Sequence, residues 1–394
     1  MKKLFIWAFL AVMSLQISCV EPLEIELTDK VRLLVVEGLV SDQPGPYQVK
    51  LTWSQPVDTN FVEPVTQATV RILEEGGPSE LLMENEPGIY QTANLQGIPG
   101  KRYKLEIQID NSRQYESPWQ LLKVSPPIDS IYYEYAEKNI IGGLLRGIEV
   151  KLDTKDPEGK SQFYRWSYEE TWRYRVPYPP LLEYFGNNQA VALTPDKEYC
   201  FQFATSDEIN IGTSVDNSDD VIKNHLVKYV TTETERLQVK YSILVKQHVL
   251  EEEEFLFWKS LKESAEDVGG LYDRQPQSLT GNITSITDPK EPVLGYFSVN
   301  GIKEKRIFID PNYDLPREAL PPDRLGIECL RELDSIPATL DDVDILIFQA
   351  LDAGKVFYNF YGMISIEGYL ITTVPCSDCT YYGGTVEKPD YWID

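Results

Sequence analysis

The chain has 394 residues, 42% hydrophobic and 11% aromatic, and its 62 acidic against 37 basic side chains give a formal charge of −25. The apolar content excludes a wholly disordered chain, and the charge disfavours nucleic acid and anionic headgroups as partners. The two histidines, His225 and His248, leave little material for acid–base catalysis or a zinc site, so no cofactor or metal is expected.

Lys2 and Lys3 precede an apolar run from Leu4 to Leu15, and Gln16, Ile17 and Ser18 then lead to Cys19. This order is that of a bacterial lipoprotein signal. Residues 1–18 would be cleaved, Cys19 acylated, and residues 19–30 left as an acidic tether. Gln16 departs from the aliphatic residue usual three places before the cysteine. The alternative is a plain cleaved signal in which Cys19 is a bystander. The apolar run is shorter than the roughly 20 residues of a membrane span.

Period-two alternation begins at Val31. Leu33 and Val35 open it, a Gln43-Pro44-Gly45-Pro46 turn follows, and Tyr47, Val49, Leu51 and Trp53 continue it. Val70 with Ile72, and Tyr103, Leu105, Ile107 and Ile109, repeat the pattern, with glycine turns between them. Tyr103 fits a tyrosine corner. The reading is an N-terminal β-sandwich over residues 31–126, ended by a Ser125-Pro126-Pro127 joint.

A second sandwich domain is read over residues 127–394. In its long strand Tyr164, Trp166, Tyr168, Trp172, Tyr174, Val176 and Tyr178 share one parity, while Arg165, Glu169, Arg173 and Arg175 take the other. The aromatic face is either a sandwich core or a ligand surface. Trp172, Tyr174, Tyr178, Tyr184, Tyr381 and Tyr382 are the candidate ligand or partner residues. Phe255, Trp258, Leu261, Ala265 and Val268 recur at helical spacing and predict an amphipathic helix over 251–268. Strands are expected at 294–299, 306–309, 344–348 and 364–371. The fold class is therefore mainly β, with two tandem Ig-like or fibronectin-like sandwiches and one helix inserted in the second.

Besides Cys19 there are Cys200, Cys329, Cys376 and Cys379, an even number that suggests two disulfides with three possible pairings. Cys376-Ser377-Asp378-Cys379 has redox-pair spacing but lacks a βαβ pattern around it. No phosphate loop, zinc-protease helix or nucleophile elbow occurs, so no catalytic residue is assigned.

Eight segments carry a resemblance: V-V-E-G at 35–38, P-G-P-Y at 44–47, Y-S-I-L-V-K-Q-H-V at 241–249 and G-G-L-Y-D-R-Q-P-Q-S-L-T-G-N at 269–282. L-G-Y-F-S-V at 294–299, R-I-F-I at 306–309, C-S-D-C at 376–379 and K-P-D-Y-W at 388–392 complete the series. In this order they resemble the domain-of-unknown-function family 4249. The resemblance implies a Gram-negative lipoprotein of a kind commonly encoded beside TonB-dependent outer-membrane transporters, and carries no catalytic residue. The expected role is a non-enzymatic, lipid-anchored, cell-surface subunit of the outer membrane. It would assist such a transporter or capture its ligand. The alternative is a stand-alone carbohydrate- or peptide-binding adhesin.

Overall fold

The computed structural model describes residues 32–55, 61–110, 112–187, 189–217, 220–266, 281–316, 328–362 and 365–393. Cys19, the signal and tether around it, and the expected helix end at Val268 lie outside the described residues. The described chain is mainly β, and among the described residues its apolar side chains gather into three clusters.

The first cluster lies between two sheets in a sandwich-like layering. One sheet runs Leu294–Asn300, Leu34–Ser41, Gln48–Trp53, Ile89–Gln91 and Met83–Glu86, with Glu63–Pro64 beside Gln48–Trp53. The other runs Thr284–Ser285, Arg113–Glu116, Arg102–Ile109, Thr69–Glu74 and Ser79–Leu81, with Gln120–Leu121 beside Arg102–Ile109. The alternation read in the sequence sends Leu34, Val36, Val49, Leu51, Val70, Ile72, Leu105 and Ile107 into this core. Tyr103 is fully buried; its hydroxyl accepts from Ile98 N at 2.9 Å and donates to Glu74 at 3.1 Å, as a tyrosine corner should.

Two strands of these sheets come from far along the chain. Leu294–Asn300 pairs parallel with Leu34–Ser41, and Ile283, Val293, Phe297 and Val299 belong to the same core. The chain then passes Gly301 into Ile302–Ile309, which pairs with Lys240–Val249 in the second sandwich-like unit. A Cβ on Gly301 would lie 2.0 Å from the Lys123 carbonyl oxygen, so only glycine fits where the strands change sheet.

The second cluster lies between a sheet of Ile128–Ile140, Gly143–Lys155 and Val221–Thr231 and one of Tyr199–Thr205, Phe163–Arg175, Lys240–Val249 and Ile302–Ile309. Asn210–Thr213 pairs with the start of Phe163–Arg175. The joint at Ser125-Pro126 is bonded to this unit, because Gln247 Nε2 donates to Pro126 O at 2.9 Å.

The third cluster, Tyr184, Ile347, Phe357, Tyr369 and Ile371, is smaller. Around it stand the strands Asp334–Pro337, Lys355–Tyr361 and Gly368–Thr373, the hairpin Leu182–Gly186 with Gln189–Ala192, and the helix Val343–Asp352. The strand expected at 344–348 is thus a helix. Val343, Ile347, Ala350 and Leu351 pack on the cluster at helical spacing, a face that a short apolar run does not reveal by periodicity. The expected helix at 251–268 is described as Glu252–Glu266, opened by the acids Glu252, Glu253 and Glu254 that suit a helix N-terminus. No helix among the described residues is long and apolar enough to cross a membrane.

Candidate functional site

The helix Glu252–Glu266 sits in the corner where the outer faces of the two sandwich-like units meet. Phe255 anchors it, with its ring 5.0 Å from that of Phe163. Further along, Phe257 stands 5.0 Å from Tyr296 of the first unit. Between helix and sheets lies a cleft of about 600 Å³ lined on one side by Val35, Leu39, Leu294 and Tyr296. Phe257, Trp258 and Leu261 form the helix side, and Arg165 belongs to the second unit. Its walls are mostly apolar with a few polar groups, the usual make-up of a small-molecule site.

Arg165 is the unusual member. Its guanidinium lies 4.6 Å from the Trp258 ring centre, a cation–π arrangement. Its Nε is buried and has no hydrogen-bond partner among the described residues. Burial pushes its pKa down, and the charge of Glu254 partly offsets this. Glu254 is itself 1% exposed. One of its oxygens accepts from Ser298 Oγ at 2.6 Å, Asn300 Nδ2 at 3.1 Å and Trp258 Nε1 at 3.2 Å. Burial raises its pKa against those hydrogen bonds and the nearby Arg165 charge.

Arg165 faces His248 across the antiparallel pair. His248 Nε2 lies 3.0 Å from Ser167 Oγ, the spacing of a nucleophile and its base. Its Nδ1, however, has no partner among the described residues, and burial together with the Arg165 and Lys246 charges holds its pKa well below 6.5. A catalytic imidazole is held by an orienting group on its second nitrogen, and among the described residues none meets His248 Nδ1.

The aromatic face of Phe163–Arg175 is a core. Trp172 is 5% exposed and Tyr174 1%, so neither offers a ligand surface; the two sheets close over that parity. Tyr184 is likewise buried in the third cluster, its hydroxyl donating to Asp344. Tyr178 is half-buried, its ring 5.2 Å from Tyr358. Only Tyr381 and Tyr382 stand out, 60% and 44% exposed, with their rings edge to face at 5.3 Å.

The four cysteines form Cys200–Cys379 and Cys329–Cys376. Cys376 and Cys379 therefore bond to distant partners rather than to each other, which removes the redox-pair reading. Among the described residues no group of three or more His, Cys, Asp or Glu could hold a metal ion.

Sequence reasoning missed Arg165 and Glu170. The sequence places Arg165 only on the parity opposite the aromatics, and the helix residue Trp258 lies beside it. Glu170 shares the aromatic parity and is 2% exposed inside the core. Its place among alternate aromatics was the available signal.

Comparison with known proteins gives one family match: a model described as Domain of unknown function (DUF4249) matches residues 20–306. No curated protein matches the chain.

Proposed function

The chain belongs to the DUF4249 family, whose model spans residues 20–306, and from that premise we propose a non-enzymatic outer-membrane lipoprotein. In this reading Cys19 carries the lipid, and the two larger units act as tandem Ig-like or fibronectin-like sandwiches. The body serves a TonB-dependent transporter as its accessory or ligand-capture subunit, held at the cell surface.

The observation that carries this reading is the cleft itself. It has apolar walls and, among the described residues, a cation without a hydrogen-bonding acceptor and a neighbouring serine–histidine pair without an orienting carboxylate. Such a site can hold a ligand without transforming it. The lipoprotein signal at residues 1–19 supports the anchoring. The alternative, a stand-alone adhesin, would have to use residues other than Trp172 and Tyr174, which are buried.

Affinity purification of the lipoprotein from native membranes tests the proposal. A transporter barrel is expected to co-purify, and acyl labelling is expected to disappear in Cys19→Ala. Recovery of an acylated chain with no barrel protein would overturn the transporter role.

A further inference from the structure

We propose that the cleft between the helix Glu252–Glu266 and the first sandwich binds a small carboxylic acid with an apolar body. The carboxylate is held by Arg165 and the body lies against Phe257, Trp258 and Leu261. This deepens the ligand-capture reading and rests on it for the existence of a ligand.

Arginine cannot shed its proton at any ordinary pH, so burying it leaves a charge and five N–H donors to be satisfied. Among the described residues the Arg165 guanidinium makes no hydrogen bond and no ion pair, and its Nε is out of reach of water. The nearest carboxylate in charge terms, Glu254, already accepts from Trp258, Ser298 and Asn300. Lys50, also on the cleft wall, lies 4.0 Å from Glu37. Lys50 keeps nearly half of its side chain in solvent, whereas Arg165 carries a buried donor that meets no acceptor among the described residues. The guanidinium lies over the Trp258 ring, and because Nε is buried the two terminal nitrogens form the edge that an acceptor can meet.

A planar carboxylate matches that edge with two parallel hydrogen bonds. A cationic ligand would meet Arg165 as a like charge. A phosphate dianion would bring twice the charge toward Glu37, Glu254 and a chain of net charge −25. The apolar walls and the volume of about 600 Å³ suit a ligand with a ring or branched chain rather than a bare anion.

Calorimetric titration of the intact lipoprotein in non-ionic detergent tests the site with three probes: 3-phenylpropionate, its neutral amide 3-phenylpropionamide, and phenyl phosphate. The acid is expected to bind about tenfold or more tightly than the amide. Arg165→Gln is expected to erase that difference. Leu261→Trp, which narrows the cleft without touching Arg165, is expected to weaken acid and amide together. Equal binding of acid and amide by the wild type overturns the proposal without any variant that might misfold. Unchanged acid binding in Arg165→Gln also overturns it, and tighter binding of phenyl phosphate overturns the carboxylate assignment. If a barrel co-purifies but the acid does not bind, the cleft assignment fails and the transporter role stands. If the acid binds and no barrel co-purifies, the role fails and the cleft stands.

Discussion

Glu170 Oε1 accepts the Tyr241 hydroxyl at 2.7 Å in the middle of the aromatic core, and the same oxygen lies 3.2 Å from Arg236 Nε. Arg236 in turn covers Trp172 at 4.4 Å. A carboxylate on the buried parity of an aromatic strand is tolerated because a cation and a hydroxyl both meet it.

Glu170→Ala would leave the buried Tyr241 hydroxyl and the Arg236 charge unmatched. The expected loss is about 2–3 kcal/mol, since Arg236 keeps some contact with solvent. Glu170→Gln keeps an acceptor for Tyr241 and should lose clearly less. Urea denaturation of the two variants checks the order, and equal losses would deny the hydrogen bond a role.

Stability should fall on mild acidification through His225. Burial, helped by the Lys262 charge, lowers its pKa from 6.5 to about 4. The unfolded chain therefore binds the proton first, and stability is lost as pH falls from about 6.5 toward 4. Between pH 7 and pH 5 the contribution is about 1–2 kcal/mol. His248, shifted in the same direction, adds to the loss, whereas the raised pKa of Glu254 acts in the opposite sense. Melting curves of His225→Gln against wild type at the two pH values should show a shallower acid loss in the variant.

The disulfides should be unequal. The bonds span 179 residues for Cys200–Cys379 and 47 for Cys329–Cys376. The chain-entropy account assigns them about 5 and about 4 kcal/mol when each is taken alone. Cys200→Ser with Cys379→Ser should lower the melting temperature further than Cys329→Ser with Cys376→Ser. It frees the C-terminal segment, whose Thr385 exchanges backbone hydrogen bonds with Phe201 at 2.7 and 2.9 Å. Non-reducing peptide maps should recover these two pairs.

Replacing Tyr381 and Tyr382 together by alanine should leave stability within about 0.5 kcal/mol, because both side chains are exposed. If they form the partner-facing loop, co-purification of a transporter should drop sharply in the same variant. An unchanged yield of barrel would place the contact elsewhere.

Local patterns were legible in the sequence where one face of a strand met one core. Val49 and Leu51, Val70 and Ile72, and Tyr103 to Ile109 all alternate as read. The helix around Trp258 was legible for the same reason, and the number of cysteines suggested two disulfides. What escaped depends on distant partners. Nothing near Val36 announces its pairing with Gly295. The cysteine pairing is likewise a property of the folded topology. Asp344–Phe348 misled because a run of four apolar residues fits strand and helix equally. Arg165 escaped because alternation separates the two faces of a strand but does not say whether a second layer covers the polar one.

The parallel pairing of Leu34–Ser41 with Leu294–Asn300 also governs the order in which the chain can fold. A polypeptide delivered from its N-terminus holds its first sheet with an open edge until residues 294–300 arrive. Phe297 and Val299 reach that core last, after the aromatic strand of the second unit has been made. Contacts so distant in sequence form slowly, because the intervening loop must close before they contribute. A fragment ending at residue 126 would lack Ile283, Phe297 and Val299 and expose a strand edge. The N-terminal part of this protein is thus completed by residues from its second half.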